Sequence, residues 1–252
     1  MEKITSVKNQ RIKDWKKLST RKGRNKANQY IIEGFHLVEE AVKAKVLIDY
    51  ILIKEDLISI EWLTDLKVER IELSSEVAEE LSGTQATQGI FAVLQISEHS
   101  KPQIVNKPYL FLDAVQDPGN VGTLIRSADA AGFGGVVLGE GSADLFNPKT
   151  LRSAQGSHFH LKVYQENLTS WIKRFQADSK LVYGTALDER AVSYIGEKPQ
   201  TSFALIVGNE GSGVNSELLK ETDKNLYIPI KGQAESLNVA IAASILMFSL
   251  YQ

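Results

Sequence analysis

The stretch from Tyr109 to Arg126, YLFLDAVQDPGNVGTLIR, decides the fold of this chain. Its apolar start, up to Val115, is typical of a buried strand, and its end predicts a helix that begins near Asn120. Between them, Pro118 fixes one turn dihedral, and two glycines allow the backbone to approach a ligand closely. The stretch therefore predicts a loop whose helical amide groups could receive an anion or another polar ligand. A purely structural connection with an exposed arginine is the alternative.

Two further loops repeat the pattern later in the chain. GNEGSG at residues 208–213 follows an apolar run at 203–207, and ESLN at 235–238 follows another at 225–230. Both runs read as buried strands, and open α/β sheets bind ligands at the carboxyl ends of their strands. We therefore expect all three loops to lie at one edge of a sheet.

The second and third loops carry little chemistry of their own. GNEGSG lacks the lysine of a phosphate-binding P-loop and the glycine order of a dinucleotide fingerprint, so a generic turn stays open. In the third loop, Ser236 or Glu235 is expected to cap the last helix, with Asn238 in its first turn. An asparagine at that point of an otherwise apolar helix start favours a functional role.

The order of apolar and polar segments predicts two domains. A small α/β domain is expected over residues 1–96, a polar linker with two prolines over 97–108, and a second domain over 109–252. Strands of the second domain are predicted at 109–115, 135–138, 158–163, 181–185, 203–207 and 225–230. Helical segments separate most of these strands, which favours a largely parallel sheet covered on both faces.

Charge is distributed unevenly along the chain. Residues 1–28 hold ten basic side chains and two acids, a net charge of +8, whereas the rest of the chain carries −10. With Trp15 and Tyr30 as stacking faces, this basic arm is suited to phosphates and unstacked bases of RNA. The alternative is a solvated amphipathic helix that packs Ile12, Trp15 and Leu18 on the core.

Composition removes several other classes of protein. The chain has no cysteine, which excludes disulfides, thiolate zinc sites and cysteine nucleophiles. Its first residues resemble no export signal, and its longest apolar stretch, 239–251, is too short to span a bilayer, so a cytoplasmic protein without a membrane segment is expected. His158 and His160 are predicted on one strand face, but no third ligand accompanies them, and no metal is expected.

Taken as a set, the three loops resemble the three signature motifs of the SpoU (TrmH-like) class of SPOUT methyltransferases. The segment LRSAQG at 151–156 is similar to a further family motif. In the first domain, IEG at 32–34 and TQGI at 87–90 resemble the N-terminal substrate-binding domain of the same enzymes. The resemblance thus covers most of the chain.

The resemblance implies a specific architecture and activity. The second domain is expected to be an α/β, trefoil-knotted methyltransferase domain, preceded by a small α/β ribosomal-protein-like RNA-binding domain. Its activity would be that of an RNA (ribose-2′-O-)-methyltransferase that uses S-adenosyl-L-methionine, with large-subunit (23S) rRNA as substrate. Family members are homodimers through the knotted domain, so a homodimer with a site shared between subunits is expected.

The resemblance also assigns residues to roles. The catalytic and substrate-handling positions are Asn120, Arg126, Glu210, Ser236 and Asn238. The cofactor-binding positions are Thr185, Ala186, Val207, Gly208, Asn209, Gly213, Ile228, Ile230 and Leu237. Because a guanidinium is a poor proton acceptor, Arg126 is interpreted as an electrostatic clamp, with Glu210 either ordering its loop or pairing with Arg126.

Three other functions remain open on the sequence alone. A tRNA 2′-O-methyltransferase would carry the same loops. So would an RNA-binding factor that keeps the fold without catalysis, although the intact set of catalytic positions argues against it. A nucleotide- or phosphate-binding α/β enzyme of another kind is the interpretation that the individual loops would favour without the family resemblance.

Overall fold

The structure is a computed structural model that describes residues 2–57, 60–63, 66–82, 86–97 and 104–251. The chain divides into two compact units, which are Met1–Glu98 with Phe146–Phe159, and His99–Leu145 with His160–Gln252. The predicted linker at 97–108 falls partly outside the described residues. The domain limits of 1–96 and 109–252 therefore stay a prediction.

Ten α-helices and twelve strands are found in the described residues. The helices are α1 (Gln10–Lys17), α2 (Arg21–Ala27), α3 (Phe35–Lys43), α4 (Ser75–Ser82), α5 (Pro118–Ala130), α6 (Pro148–Ala154), α7 (Ser157–His160), α8 (Leu168–Ala177), α9 (Ser216–Lys220) and α10 (Val239–Leu250). The strands are β1 (Glu2–Ile4), β2 (Gln29–Glu33), β3 (Ile48–Lys54), β4 (Glu69–Leu73), β5 (Ile90–Gln95), β6 (Tyr109–Leu112), β7 (Gly135–Leu138), β8 (Lys162–Gln165), β9 (Leu181–Thr185), β10 (Val192–Ser193), β11 (Phe203–Val207) and β12 (Lys224–Tyr227).

The first unit is built on a mixed five-stranded sheet in the order β1-β4-β3-β5-β2. Strands β1, β4 and β3 are parallel, and β5 runs antiparallel to both β3 and β2. Apolar side chains cover both faces, with Leu52 and Phe91 in one core cluster and Ile51 and Ala92 in the other. Successive residues of β3 and β5 thus point to opposite faces of the sheet, and both faces are apolar. Both faces must therefore be covered by other elements.

Helices α1 and α2 form a tight pair at the start of the first unit. Asn9 and Thr20 cap them by accepting from the backbone N–H groups of the first helical turn. The buried Arg24 donates to the Leu18 carbonyl over 2.9 Å. The basic arm is therefore a folded element. Sequence patterns missed α2 because its seven residues, RKGRNKA, contain no apolar period.

The two aromatic residues expected to stack on bases are buried. Trp15 and Tyr30 each expose only 5% of their surface, and they belong to the core clusters on opposite faces of the sheet. The packing expected in the alternative is confirmed, because Ile12, Trp15 and Leu18 all lie in the core. The expectation that these rings stack on RNA is wrong, since a buried ring has no face to offer a base.

The second unit contains a seven-stranded sheet in the order β10-β12-β9-β11-β6-β7-β8, in which every neighbouring pair is parallel. The largely parallel sheet predicted from the sequence is confirmed. One face carries a cluster of aromatic rings that includes Tyr109, Phe111, Trp171 and Phe175. The fully buried strands β6 and β11 lie at the centre of the sheet, as their continuous apolar sequences require.

Several predicted elements differ in their bounds. Helix α5 was expected to begin near Asn120, but it starts at Pro118 because the side chain of Asp117 caps it by accepting from the Asn120 N–H. The last helix is capped by Asn238 itself, so the expectation of a Ser236 or Glu235 cap is wrong. The shortened strands β6 and β12 end where the loops turn away from the sheet.

The two histidines of the HFH segment do not lie on a strand face. His158 and His160 fall in the short helix α7, and β8 begins only at Lys162. The side chain of His160 instead lies 3.1 Å from a carboxylate oxygen of Asp129. Over the described ranges, no group of three or more His, Asp or Glu side chains could hold a metal ion.

None of the helices in the described part of the chain has both the length and the apolar character needed to cross a membrane.

Candidate active site

The first two loops are joined directly after the strands that carry them. Strands β6 and β11 are parallel neighbours with Leu112 opposite Val207, so the residues that follow them emerge side by side. The Asp113 N–H donates to the Val207 carbonyl over 2.9 Å, and Nδ2 of Asn209 donates to the Ala114 carbonyl over 3.0 Å. The prediction that these loops share one edge of the sheet is confirmed.

A chain of side-chain hydrogen bonds joins all three loops. Nδ2 of Asn238 donates to Oδ1 of Asn120 over 2.9 Å, and Nδ2 of Asn120 donates to Oε1 of Glu210 over 2.9 Å. One residue comes from each loop, although Asn120 and Glu210 are 90 positions apart and Asn120 and Asn238 are 118 apart. Three of the five predicted catalytic positions are therefore in contact.

The cap of α10 fixes the direction of this chain. Oδ1 of Asn238 accepts from the N–H groups of Ala240 and Ile241 over 2.9 and 3.3 Å, so its Nδ2 must face Asn120. The Asn120 oxygen then accepts one hydrogen bond, and one of its two amide hydrogens is given to Glu210. Asn120 can still offer a ligand one N–H donor and one lone pair of its oxygen.

Glu210 anchors the start of the first loop. Its two carboxylate oxygens accept from the backbone N–H groups of Gln116 and Asp117, each over 3.2 Å, in addition to Asn120. Partial burial opposes its ionisation, but the hydrogen bonds outweigh this effect and hold the pKa of Glu210 below its usual value. Glu210 is therefore a carboxylate at neutral pH, and it orders its loop by accepting hydrogen bonds.

The second loop closes on itself. Asn209 and Gly213 exchange backbone hydrogen bonds of 3.0 and 2.9 Å, and the side chain of Asn209 accepts from the N–H groups of Gly211 and Ser212. A Cβ on Gly208 would lie 2.1 Å from the Gly213 carbonyl carbon, so only glycine fits where the two arms of the loop cross. The structural requirement explains Gly208 without a ligand.

The predicted cofactor positions line the neighbouring strand ends. Strand β9 lies between β11 and β12, where Oγ1 of Thr185 donates to the Ile206 carbonyl over 3.0 Å and the Ala186 N–H donates to the Leu226 carbonyl over 3.2 Å. Ile228 and Ile230 follow β12 and are half-buried, whereas Leu237 is 36% exposed. These apolar side chains leave faces that a flat ring could cover.

The loop after β12 has the uncommitted main chain that such a ligand needs. Residues 229–237 make no hydrogen bond with the part of the chain that the structure describes. Their carbonyl groups, and their N–H groups apart from Pro229, therefore remain available to the edge of a heterocycle and to a carboxylate. Half-exposed apolar side chains next to such groups fit the adenosine and amino-acid parts of S-adenosylmethionine.

Two predicted catalytic residues stand apart from the hydrogen-bonded chain. Arg126 is exposed, and its side chain has no ion pair or hydrogen bond with described residues. It lies six positions beyond Asn120 in α5, roughly 120° away around the helix. Ser236 is exposed and likewise makes no such contact. Of the two roles left open for Glu210, the pairing with Arg126 is absent from the described residues, and the side chains of Arg126 and Ser236 remain available to a ligand.

Two carboxylates at the site were missed. Asp117 caps α5, and the Asn215 N–H donates to Oδ2 of Asp113 over 2.7 Å, which ties the start of α9 to the first loop. Asp117 could have been recognised, because an aspartate directly before a proline is a typical start of a helix. No sequence signal marks Asp113, since its partner follows 102 residues later.

A parallel α/β sheet with three loops joined at the carboxyl ends of β6, β11 and β12 is the arrangement in which open α/β sheets bind ligands. The chain belongs to the SpoU rRNA Methylase family, and the sequence pattern of this family matches residues 107–248. Residues 9–92 match an MRM3-like substrate binding domain. The family resemblance drawn from the three loops is thereby confirmed.

The similar proteins include rRNA methyltransferases that match this chain over nearly its whole length. The chain is 51% identical over 251 residues to the 23S rRNA (guanosine(2553)-2′-O)-methyltransferase RlmP of Bacillus subtilis, covering 99% of both proteins. An AdoMet-bound rRNA methyltransferase from Sinorhizobium meliloti superposes with a TM-score of 0.86 at 28% identity, covering 99% of this chain and 97% of the other. The AdoMet complex of the SpoU methyltransferase AviRb from Streptomyces viridochromogenes superposes with a TM-score of 0.86 at 25% identity, covering 96% of this chain and 97% of the other.

Proposed function

We propose that this protein transfers a methyl group from S-adenosyl-L-methionine to a ribose 2′-hydroxyl of 23S rRNA, as an RNA (ribose-2′-O-)-methyltransferase. The observation that carries the proposal is the hydrogen-bonded series Asn238, Asn120 and Glu210, which joins the three family loops at one sheet edge. The 51% identity to a 23S rRNA guanosine methyltransferase supports the large-subunit substrate over a tRNA.

The cofactor supplies an activated methyl group, because its sulfonium is a good leaving group. The enzyme has to align the ribose oxygen with that methyl and assist the loss of the hydroxyl proton. The new bond joins the methyl carbon to the 2′-oxygen, the carbon–sulfur bond breaks with its electron pair passing to sulfur, and the proton leaves to solvent or a nearby acceptor. No metal is needed for this reaction.

The residues divide these tasks by their available groups. Asn120 presents its remaining N–H to the ribose, held in orientation by Asn238 and Glu210. Arg126 is an unpaired cation that clamps the phosphate beside the reacting ribose and stabilises developing negative charge on its oxygen. Ser236 is an exposed hydroxyl beside the capped start of α10 and contacts the cofactor or the ribose.

The cofactor is held by the strand ends of β9, β11 and β12. Ile228, Ile230 and Leu237 would hold the adenine ring of the bound cofactor, and the main chain of residues 229–237 would bind its edge. The positions expected to contribute are Thr185, Ala186, Val207, Gly208, Asn209, Gly213, Ile228, Ile230 and Leu237. Of these, Gly208 and Asn209 also maintain the shape of the second loop.

The second unit forms a homodimer and carries the trefoil knot of its family. Helix α10 is apolar on all sides, and it leaves Ile241 and Phe248 exposed by 53% and 56%. With Ile245 between them, these side chains form an apolar stripe of the kind that an isologous partner covers. Light scattering should give the mass of a dimer, and Phe248→Glu should shift it to a monomer. A cytoplasmic location is supported by the similarity to the 23S rRNA methyltransferase of Bacillus subtilis.

The decisive experiment is transfer of tritium from labelled S-adenosylmethionine to purified 23S rRNA. Label is expected in a ribose 2′-O-methyl nucleotide of that RNA, and not in bulk tRNA. Transfer to tRNA alone would contradict the substrate, and cofactor binding without transfer to any RNA would favour a silent RNA-binding factor. Absence of cofactor binding by calorimetry would favour an α/β enzyme of another kind.

The role of Arg126 is tested separately. Arg126→Lys keeps a positive charge but loses the planar fork that binds two phosphate oxygens at once, so turnover is expected to fall by roughly ten- to a hundred-fold. Near-normal turnover of Arg126→Lys with unchanged RNA affinity would contradict the clamp.

A further inference from the structure

Most cations on the first helix of the N-terminal pair are neutralised within the first unit. Arg11 forms ion pairs with Glu2 and Glu69 and also lies over the Trp15 ring. Lys16 pairs with Glu80. These side chains hold α1 against the sheet and against α4, and they are committed to the fold. The high positive charge of residues 1–28 therefore overstates what the surface offers to a partner.

The same holds for three further basic residues. Lys17 pairs with Asp14 of the same helix over 2.7 Å, and Lys3 pairs with both Glu55 and Glu72 over 2.8 Å. The guanidinium of Arg24 is buried on the Leu18 carbonyl. Among residues 2–28, four exposed lysines make no ion pair with described residues: Lys8, Lys13, Lys22 and Lys26.

Helix α2 carries two of these four lysines. Lys22 and Lys26 are exposed, and neither makes an ion pair or a side-chain hydrogen bond with described residues. Four residues apart in a helix, they project from the same face, with the exposed amide of Asn25 beside them. No acid occurs in the seven residues of α2. The helix itself therefore adds only cationic and amide groups to this face, while the Asp14 carboxylate of α1, hydrogen-bonded to Lys17, lies within electrostatic reach of Lys26.

This face is presented rigidly. Gly23 packs so closely on α1 that a Cβ there would lie 2.0 Å from the Lys17 carbonyl oxygen. The neighbouring Arg24 is 3% exposed and donates to the end of α1, and Thr20 caps α2 by accepting from the Gly23 N–H. One face of α2 is thus fixed to α1, which leaves the face of Lys22 and Lys26 turned outward.

We infer that the outward face of α2, centred on Lys22 and Lys26, docks the phosphate backbone of the substrate RNA. The inference rests on the proposed function, because it takes RNA as the substrate. Two ammonium groups at this spacing suit successive phosphates, and the adjacent amide can donate to phosphate or ribose oxygens. With Trp15 and Tyr30 buried, this surface offers charge and no stacking ring, so its contacts are independent of base sequence.

The test compares two double substitutions of equal charge. Lys22→Gln with Lys26→Gln should weaken binding of a 23S rRNA fragment about ten-fold near 0.1 M salt. It should also lower the slope of log affinity against log salt by about 2, one for each phosphate contact. Lys16→Gln with Lys17→Gln removes the same charge from ion-paired positions and should change neither quantity by more than about two-fold. Filter binding over a range of salt concentrations measures both.

Equal losses in the two double variants would overturn the inference, because only net charge would then matter. An unchanged RNA affinity of the α2 variant would also overturn the inference. A loss of binding seen only with assembling ribosomal particles would overturn it too, because it would assign this face to a protein partner. Cofactor binding and turnover at saturating RNA should stay at wild-type levels in the α2 variant. The proposed function is tested by methyl transfer with the unmodified protein. Its failure can therefore be distinguished from failure of the docking inference, which only the variants test.

Discussion

The side chains of Asn238 and Asn120 form a hydrogen bond of 2.9 Å, in which Asn238 donates and Asn120 accepts. Because Asn238 also caps α10, the start of one helix sets the orientation of an amide on another. Asn238 therefore contributes both to the stability of α10 and to the orientation of Asn120. Different substitutions of Asn238 should separate the effect on stability from the effect on catalysis.

Asn238→Asp keeps the oxygen that caps α10 but loses the N–H that Asn120 accepts. The Asn120 amide then loses its fixed orientation, and methyl transfer is expected to fall by roughly ten- to a hundred-fold, since small misplacements of this kind are costly. The unfolding free energy should stay within about 0.5 kcal/mol of the unmodified protein, because aspartate caps as well as asparagine. Tritium transfer and urea unfolding measure the two effects.

Asn238→Ala is the matched control for that prediction. It removes the cap as well, so the protein should lose about 1 kcal/mol of stability in addition to activity. An aspartate variant with unaltered turnover would show that the contact between Asn238 and Asn120 plays no part in catalysis.

Gly208→Ala should disrupt the second loop. The added Cβ would lie 2.1 Å from the carbonyl carbon of Gly213 and 2.2 Å from the Val214 nitrogen, and backbone atoms cannot move aside cheaply. We expect a loss of about 1–3 kcal/mol in the unfolding free energy, and S-adenosylmethionine binding weakened by at least about ten-fold. Thermal unfolding and calorimetry report the two quantities.

Gly211→Ala serves as the control in the same loop. Its Cβ would meet only Oδ1 of Asn209, at 3.5 Å, which is an ordinary contact. Similar effects of the two substitutions would mean that the loop rearranges freely and that the close crossing at Gly208 is unimportant.

The depressed pKa of Glu210 predicts a pH dependence. Since its folded-state pKa is lowered, the carboxylate contributes stability that is fully present above the unfolded value of about 4.3 and is lost as pH falls through the folded value. The difference in unfolding free energy between the unmodified protein and Glu210→Gln should therefore be largest near neutral pH and shrink below about pH 4. Urea titrations at several pH values give that difference. A gap that is constant with pH would mean that the hydrogen bonds to Glu210 do not favour its charged form.

Tyr183→Phe should leave the protein as stable or more stable by up to about 1 kcal/mol. Tyr183 is fully buried, burial raises its pKa to about 12, and its hydroxyl has no hydrogen-bond partner among the described residues. Removing the hydroxyl therefore removes a polar group that folding desolvates without compensation. Thermal unfolding checks the sign, and a loss above about 1 kcal/mol would point to a bound water at this hydroxyl.

The extent of sequence-based prediction varies with the physical signal. Strands β7, β9 and β11 have the predicted bounds, because each is a short apolar run between turn-forming residues. The start of α5 was missed because Pro118 and Gly119 indicate a turn as readily as the first turn of a helix. Helix α2 was missed because its stability comes from packing on α1, which leaves no apolar period in its own sequence.

The site was predictable as a set of positions, but not as an arrangement. The order of the strands places the three loops together, and this follows from the parallel sheet that the sequence predicts. The contact of Asn120 with Glu210 and with Asn238 depends on rotamers and on the cap of α10, for which the sequence holds no periodic signal. Arg126 shows the opposite case, since its identity suggested a pairing with Glu210 that the geometry of α5 does not provide.

The path of the chain between the two compact units limits how the protein can be divided. The chain passes from one unit to the other three times, after residues 98, 145 and 159. Leu151, which is 1% exposed, lies in the core of the first unit although it belongs to the segment matched by the methylase family. A fragment cut at the end of the substrate-binding region would lack this part of its interior. Each unit consists of two separate segments of the chain, so a single crossover between related genes cannot exchange either unit intact.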